Sequence, residues 1–310
     1  MKKTAVKLVE VGPRDGLQNI SRILSFEEKK KFLSGLIECG FTEIEIGSFV
    51  REEIVPQMAT TSSLCSYFLT QYPELEWIAL VPNVQGFEKA LESKVKHIAI
   101  FTAISETFNQ KNIRTSIEGS RKRFDQIFST LSNSNSNLNS NSNSNSNSSS
   151  DSDSEKVKVR AYISTVFGCP YEGRPLWENL WPLIDYFIEK KVREISLADT
   201  IGVATVEQVR TLTKELKKKY PEFFPNFAYH FHDTSGFALV NTFAAFEMGI
   251  QIFDGSTGGI GGCPFAGPMA KGNVSMELLG HFFDSLKVET GLNLERLDNL
   301  ASWIKNLVRN

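Results

Sequence analysis

The stretch SFEEKKKFLSGLIECGFTEIEIGS, residues Ser25–Ser48, contains the unit from which the fold is predicted. Ser25 followed three residues later by Glu28 is a capping box, which marks the start of a helix. Gly40 is typical of the position just after a helix end. A short run of β-branched and apolar residues then starts near Glu43 and predicts a strand. The stretch therefore predicts one helix followed by one strand.

The same unit recurs along the chain. Runs that predict strands start near Lys7, Glu43, Glu76, His97, Lys158, Glu194, Phe227 and Ile250. Between them lie helix-like stretches, one of which opens with a second capping box formed by Thr205 and Gln208. Eight strand–helix units predict an α/β fold, a (β/α)₈ TIM barrel with a C-terminal helical extension. A doubly wound open sheet is the alternative, but no Gly-x-Gly-x-x-Gly follows the first strand.

One segment does not fit this repeat. Residues 132–154 comprise 12 Ser, 8 Asn, 2 Asp and a single Leu, a composition that buries too little apolar surface to offset its ordering entropy. Successive strand starts are 36, 33, 21, 61, 36, 33 and 23 residues apart, and the interval of 61 becomes 38 without this tract. We therefore predict a disordered insert, residues 132–154, within a single barrel domain, residues 1–310. A linker between two domains is the alternative.

The composition excludes several classes of protein. The 310 residues carry a formal net charge of −2, which argues against a generic nucleic-acid binder. The longest apolar runs fall short of the roughly 18 residues that a membrane span requires, so no membrane association is expected. The four cysteines contain no close pair and do not form a disulfide framework. The N-terminus lacks an apolar signal core. A reduced, cytoplasmic, globular protein is predicted.

Polar residues gather where the predicted strands end, which is where barrel enzymes place their active sites. His230 and His232 lie two residues apart on one strand, so both side chains project from the same face. Together with Asp15 after the first strand, they form a mixed nitrogen and oxygen ligand set for Mg²⁺, Mn²⁺, Co²⁺ or Zn²⁺. Two hydrogen-bonded structural histidines are the alternative.

Two further groups are candidates for chemistry. Arg14 could hold a developing oxyanion, although a solvated ion pair with Asp15 is the alternative. The glycine-rich run at residues 258–267 has the composition of a mobile loop and contains Cys263, a candidate acid or base. A tight turn is the alternative. Cys39 and Cys65 fall in helix-like stretches and are predicted to be core residues, whereas Cys169 is predicted to lie near the site.

Several motifs together resemble 3-hydroxy-3-methylglutaryl-CoA lyases, which belong to a superfamily of metal-dependent barrel lyases and synthases. The resemblance extends from Val6 to about Leu297 outside the Ser/Asn tract. The motifs that carry it are VGPRDGLQN at 11–19, SFV at 48–50, GCPYEG at 168–173, HFHDT at 230–234 and GGCPFA at 261–266.

This resemblance implies a role for each matched residue. A divalent cation, Mg²⁺ or Mn²⁺, is expected as the cofactor. Its implied ligands are Asp15, His230, His232 and Asn273. Arg14 would stabilise the enolate that leaves as acetyl-CoA, and Cys263 would transfer a proton. Either Asp199 or a water held at the cation would accept the hydroxyl proton. Glu45 is implied as a further catalytic or supporting residue. The implied substrate-binding residues are Arg14, Gln18, Ser48 and Ser196.

The resemblance implies a lyase that cleaves a CoA-thioester substrate into acetyl-CoA and acetoacetate, as a homodimer, in leucine degradation or ketone-body formation. Ser235 stands where the family has Tyr, which favours an alternative lyase for a longer 3-hydroxy-3-alkylglutaryl-CoA. A superfamily synthase that joins an acyl-CoA to a 2-oxo acid is a further alternative, although the Gly-Gly-Cys-Pro loop argues against it. A catalytically silent scaffold, with the Ser/Asn tract binding a partner, is a hypothesis of another class.

Overall fold

The strands form a closed parallel barrel. A computed structural model describes residues 5–140, 156–262 and 272–309. Each strand pairs with the next along the chain, and β8 returns to pair with β1, with Lys7 opposite Ile252. The strands are β1 (Lys7–Glu10), β2 (Glu43–Ser48), β3 (Glu76–Leu80), β4 (His97–Ala103), β5 (Lys158–Ser164), β6 (Glu194–Asp199), β7 (Phe227–Phe231) and β8 (Ile252–Gly255). The predicted (β/α)₈ barrel is confirmed, and only β8 starts away from its predicted residue, two positions later.

Helices surround the barrel. They are α1 (Phe26–Glu38), α2 (Thr61–Gln71), α3 (Val84–Glu92), α4 (Glu106–Ile113), α5 (Ile117–Ser140), α6 (Trp177–Glu189), α7 (Val206–Lys219), α8 (Ala238–Glu247), α9 (Met276–Ser285) and α10 (Leu294–Arg309). Both predicted capping boxes are present, at the starts of α1 and α7. Helix α9 follows β8 and completes the eighth strand–helix unit, and α10 forms the predicted C-terminal extension. Within the described residues, no helix is long and apolar enough to cross a membrane.

The apolar core has two layers, because strand side chains alternate between the two faces of the sheet. The outer layer lies between strands and helices and includes Phe32, Phe87 and Phe187, all fully buried. The inner layer fills the barrel and consists of Val9, Val11, Ile78, Leu80, Ala99, Tyr162, Ala228 and Ile252. This inner layer supports the cavity at the carboxyl ends of the strands.

Ion pairs close the opposite end of the barrel, where the strands begin. Lys7 on β1 donates to Glu43 on β2 at 3.0 Å and to Glu194 on β6 at 2.5 Å. Arg193, just before β6, reaches the same Glu43 at 3.1 Å. Lys158 on β5 donates to Glu76 on β3. The Lys7–Glu43 pair joins the neighbouring strands β1 and β2, whereas the other pairs connect strands that are not neighbours in the barrel.

The Ser/Asn tract lies in the connection from α5 to β5, as predicted. The backbone of α5 continues to Ser140, so the helix includes the first part of the tract. Residues 141–154 of the predicted insert lie outside the described residues. This connection is at the end of the barrel where the strands begin, opposite the end that holds the candidate site.

Candidate active site

A cavity of about 330 Å³ opens at the carboxyl ends of the strands. Its polar wall includes Arg14, Asp15, Gln18, His230 and His232. Its apolar wall is formed by Ile54, Val55, Leu80, Phe101, Phe108 and Tyr162. The cavity thus combines a cluster of chemically active groups with an apolar surface, as is usual for a small-molecule site.

The loop after β1 presents Arg14 and Asp15 to this cavity. Residues Gly12–Gly16 form a single π-helical turn, in which the Val11 carbonyl accepts N–H groups from Arg14, Asp15 and Gly16 at 2.7–3.2 Å. Pro13 within the turn fixes one backbone angle and lacks an N–H that would need a partner. The turn therefore holds two charged side chains rigidly at the end of the first strand.

Arg14 is held between two carboxylates. Its Nε donates to Glu45 Oε2 at 2.7 Å, and its Nη1 donates to Asp15 Oδ1 at 2.7 Å. Burial opposes the charge on Arg14, but Glu45 and Asp15 outweigh it and raise the pKa of the guanidinium. Burial also raises the pKa of Glu45, even though Arg14 acts in the opposite direction. The arrangement holds a charged guanidinium in one orientation beside the cavity.

Four side chains converge beside Arg14 from three parts of the barrel. Nε2 of His230 lies 3.1 Å from Nε2 of His232 and 3.9 Å from Oδ2 of Asp15. Asn273 Nδ2 donates to Asp15 Oδ2 at 2.9 Å. Asp15, His230 and His232 each offer one ligand atom, and these three atoms lie within 4.8 Å of one another. The four ligands implied by the resemblance are thus brought together.

The protonation states of His232 and Asp15 suit the binding of a cation. Burial and the neighbouring His230 lower the pKa of His232 to about 4, so its imidazole is neutral near pH 7. Burial would raise the pKa of Asp15, but the charge of Arg14 lowers it to about 2. The buried Oδ1 of Asn273 lacks a hydrogen-bond partner among the described residues. The neutral imidazole of His232, the carboxylate of Asp15 and the unpartnered amide oxygen of Asn273 fit a divalent cation.

The structure adds site residues that the sequence analysis did not identify. Arg160 and Asp254 are fully buried inside the barrel and form an ion pair of 2.6 Å. Asp254 also faces His230, with 3.3 Å between Oδ2 and Nδ1. The signal in the sequence was a charged residue inside a strand otherwise made of apolar or small residues. Such a residue is almost always paired when it is buried.

Glu10, at the end of β1, is a third such residue. Its buried carboxylate accepts the N–H of Gly12 at 2.7 Å and the hydroxyl of Thr257 at 2.5 Å. Burial raises the pKa of Glu10 to about 8. The side chain connects the start of the Arg14 loop to the turn after β8, and it therefore fixes the relative positions of two loops that border the cavity.

Other predicted site residues do not line the cavity. Asp199 accepts the N–H groups of Val203 at 3.0 Å and Ala204 at 2.9 Å, and burial raises its pKa to about 6. Because Ala198 lines the cavity, the next side chain along β6 points away from it. Ser48 donates to the Leu80 carbonyl at 3.3 Å.

Two serines also stand away from the cavity lining. Ser196 donates to Asp254 at 2.8 Å, deep inside the barrel. Ser235 is exposed to solvent and is absent from the cavity lining, so its small size does not enlarge the described part of the acyl pocket.

The glycine-rich loop begins at the cavity. Gly262 lines the cavity, and its carbonyl accepts a hydrogen bond from Asn19 Nδ2 at 2.8 Å. Cys263 follows directly in the sequence and lies outside the described residues. The other cysteines are buried, as predicted for Cys39 and Cys65. Cys169 Sγ lies 3.1 Å from Ser105 Oγ and packs with Phe108, a residue of the cavity wall.

Comparisons with known proteins agree with this geometry. The model of the HMGL-like family matches residues 5–304. The 3-hydroxy-3-isohexenylglutaryl-CoA/hydroxymethylglutaryl-CoA lyase of Pseudomonas aeruginosa is 38% identical over 297 residues, which is 94% of this chain and 89% of the relative.

Two solved structures are also similar over nearly the whole chain. The HMG-CoA lyase of Bacillus subtilis superposes with a TM-score of 0.87 at 35% identity, covering 100% of this chain and 96% of the other. The HMG-CoA lyase of Acinetobacter baumannii, solved with coenzyme A and 3-methylmalate, has a TM-score of 0.85 at 29% identity, covering 99% and 92%. The relatives compared above are hydroxymethylglutaryl-CoA lyases. The barrel, the site and these similarities together show that the chain belongs to the HMGL-like family.

Proposed function

We propose that this protein cleaves 3-hydroxy-3-methylglutaryl-CoA to acetyl-CoA and acetoacetate with the help of a divalent cation, Mg²⁺ or Mn²⁺. The observation that carries the proposal is that a buried arginine, Asp15, His230 and His232 converge on one cavity, with Asn273 donating to Asp15. The similarity to hydroxymethylglutaryl-CoA lyases over nearly the full length supports the choice of substrate.

Asp15, His230, His232 and Asn273 would hold the cation. A bound divalent cation supplies Lewis-acid stabilisation of substrate oxygens and favours loss of the proton from the tertiary hydroxyl. The protein holds these four side chains from the loop after β1, the end of β7 and the segment after β8. Asp15 accepts hydrogen bonds from Arg14 Nη1 at 2.7 Å and from Asn273 Nδ2 at 2.9 Å, so its carboxylate is held in place before a cation binds.

Arg14 acts on the charge that develops during bond cleavage. The hydroxyl proton of the substrate leaves to a base, the bond between C2 and C3 breaks, and C3 becomes the ketone of acetoacetate. The electron pair of the broken bond passes to the thioester as an enolate. A guanidinium held by Glu45 stabilises this oxyanion and needs no reorganisation at that moment.

The enolate then takes a proton at C2 to give acetyl-CoA. We assign this transfer to Cys263, which follows Gly262 at the cavity wall. A thiol titrates near the working pH of an enzyme, as a proton-transfer group must. We assign Asp199 a positioning role, because its carboxylate holds the turn after β6 while the neighbouring Ala198 and Thr200 line the cavity.

The CoA portion of the substrate would occupy a second cavity. This space of about 560 Å³ shares part of its wall with the first, including Gln18, Leu80 and Phe101. Four cationic residues line it: Arg51, Lys111, Arg114 and Arg123. Cationic side chains suit the phosphates of CoA, and the HMG-CoA lyase of A. baumannii was solved with coenzyme A.

Longer substrates are a second candidate. The wall formed by Leu80, Phe101 and Phe108 would accept a larger alkyl group at C3 than methyl. The P. aeruginosa relative is named for both a 3-isohexenyl and a 3-methyl substrate. Comparing turnover of the two acyl chains by the purified protein separates the candidates, because the preferred chain has the higher kcat/KM.

The decisive assay incubates purified protein with 3-hydroxy-3-methylglutaryl-CoA and either Mg²⁺ or Mn²⁺, and it measures acetyl-CoA and acetoacetate. We expect equal amounts of both products and no cleavage in excess chelator. Absence of cleavage with either cation would overturn the proposal. Release of free CoA from acetyl-CoA and a 2-oxo acid would instead support the synthase alternative.

Three further properties are predicted from the sequence alone: a cytoplasmic location, a homodimeric assembly and a role in leucine degradation or ketone-body formation. Cell fractionation, sedimentation of the purified protein and growth of a deletion strain on leucine test them in turn.

A further inference from the structure

Beneath the candidate cation ligands, a column of charged side chains runs through the barrel interior. Arg160 on β5 is fully buried and donates to Glu194 Oε1 at 2.5 Å, to the Tyr162 hydroxyl at 2.6 Å and to Asp254 Oδ1 at 2.6 Å. Asp254 on β8 in turn contacts His230 on β7. Along the column, each charge therefore adjoins a charge of opposite sign or a polar group.

The two oxygens of Asp254 have separate partners. Oδ1 accepts from Arg160, while Oδ2 accepts from Ser196 Oγ at 2.8 Å and lies 3.3 Å from Nδ1 of His230. Asp254 and Arg160 are both fully buried and form an ion pair of 2.6 Å. A carboxylate paired with a guanidinium in this way accepts hydrogen bonds through both of its oxygens.

This environment determines which nitrogen of His230 carries the proton. Nδ1 of His230 faces a carboxylate oxygen that accepts hydrogen bonds, so Nδ1 is the nitrogen placed to carry the proton and Nε2 is the nitrogen left with a lone pair. Nε2 is the atom that lies beside His232 and Asp15, at 3.1 and 3.9 Å. A histidine that ligates a metal commonly donates its other ring N–H to a carboxylate, which orients the ring and raises its basicity.

We propose that Asp254, held in place by Arg160 and Ser196, is a positioning residue that fixes the Nδ1–H tautomer and the orientation of His230 for cation binding. Arg160 pairs with Oδ1 of Asp254, and Oδ2 is the oxygen that faces the imidazole. The inference rests on the proposed function for the presence of the cation, but it makes a separate statement about cation affinity.

The first test measures binding of Mn²⁺ alone by titration calorimetry. For Asp254→Asn we expect affinity to fall about 10–100-fold. The matched control is Asp298→Asn, because Asp298 also contacts a histidine, His281 at 2.9 Å, but on the exposed surface. Its Mn²⁺ affinity should be unchanged. Wild-type affinity in Asp254→Asn would overturn the inference.

Two further measurements keep the test decisive if Asp254→Asn fails to fold. Ser196→Ala removes one hydrogen bond to Asp254 and leaves the Arg160 pair intact, and it should weaken Mn²⁺ binding by a smaller factor. In metal-free wild-type protein labelled with ¹⁵N-histidine, NMR should show His230 protonated at Nδ1, with its signals assigned by their loss in His230→Gln. Protonation at Nε2 instead would overturn the inference.

Failure of the inference differs from failure of the proposed function. If wild-type protein cleaves the substrate and the Asp254→Asn variant binds Mn²⁺ normally, only the positioning role is wrong. If wild-type protein neither cleaves the substrate nor binds Mn²⁺, the proposed function is wrong, and the tautomer of His230 still decides whether Asp254 acts on that ring.

Discussion

Arg14 and Glu45 are joined by two short contacts, because Oε2 of Glu45 lies 2.7 Å from both Nε and Nη2 of the guanidinium. Glu45 is fully buried on β2, whereas Arg14 lines the cavity from the loop after β1. The carboxylate thus fixes the plane of the guanidinium, and Nη1 remains directed towards Asp15. This pair sets the position of positive charge in the site.

Replacing Arg14 should therefore impair the chemical step more than substrate binding. Because the guanidinium is proposed to stabilise charge that develops only in the transition state, Arg14→Gln should lower kcat by about 10²–10³-fold with a smaller rise in KM. Steady-state kinetics measure both constants. Arg210→Gln, which breaks the exposed ion pair with Glu247, is the matched control and should leave kcat and KM unchanged. Normal kcat with only a raised KM would show that Arg14 merely binds substrate.

His232→Ala should reduce activity by orders of magnitude and weaken cation binding, since His232 is one of the proposed ligands. Mn²⁺ titration and the cleavage assay give the two readouts. His281→Ala serves as the control, because His281 is exposed and pairs with Asp298 at 2.9 Å. Full activity of the wild-type enzyme in excess chelator is the result that would contradict the metal-dependent mechanism.

The raised pKa of Glu10 predicts an unusual dependence of protein stability on pH. Burial raises its pKa from an ordinary 4.5 to about 8, so between these values the folded protein binds a proton that the unfolded chain has released. The contribution of Glu10 to the stability of the folded protein is fully present below pH 4.5. As the pH rises from 4.5 to 8, this contribution is lost, and the free energy of unfolding falls by up to about 1.4 kcal/mol per pH unit.

Glu10→Gln removes this titration. The free energy of unfolding of the variant, relative to wild type, should increase between pH 5 and pH 8. Urea denaturation at both pH values measures the difference. A relative stability that stays constant or falls over this interval would show that Glu10 is ionised throughout in the folded protein.

Cys263→Ser should lower activity by about 10²–10⁴-fold, because a hydroxyl does not titrate near neutral pH, while cation affinity is unchanged. Thiol alkylation should inactivate the enzyme, and substrate should protect it. Burial raises the pKa of Cys39 to about 11 and that of Cys65 to about 12, so both should react slowly. Cys39→Ser is the control. Near-normal turnover by the Cys263→Ser variant would show that a group other than Cys263 transfers the proton.

Replacing residues 141–154 with a short Gly/Ser turn should leave activity unchanged. The connection lies at the end of the barrel away from the site, and loop closure entropy changes by only ~0.6 kcal/mol per doubling of length. Stability should be equal or slightly higher. The cleavage assay and thermal unfolding check both expectations. A large loss of activity would refute a location remote from the site.

Much of the fold was predictable because it depends on local periodicity. Seven strands start at the predicted residues, and the caps at Ser25 and Thr205 form as the side-chain spacing indicated. The grouping of Asp15, His230 and His232 was predictable for a related reason. Side chains two residues apart on one strand share a face, and parallel strand ends meet at one mouth of a barrel.

The side-chain directions at individual strand ends were less predictable. Asp199 follows Ala198 and so points away from the cavity, into hydrogen bonds with Val203 and Ala204. The resemblance to the family nevertheless implied a place for Asp199 in the site. A shift of one residue along a strand reverses the face that a side chain occupies, and a motif does not record the register.

The sequence by itself determined the barrel, its insertion point and the residue types of the site, because each follows from short-range spacing. Only the tertiary structure decided which charges are paired inside the barrel. Arg160, His230 and Asp254 lie on three different strands. In the sequence, 70 residues separate Arg160 from His230 and 24 separate His230 from Asp254, and their contacts depend on how the strands are staggered in the barrel. Burial then raises the pKa of Glu10 and lowers that of His232, since a charge loses its hydration inside the barrel.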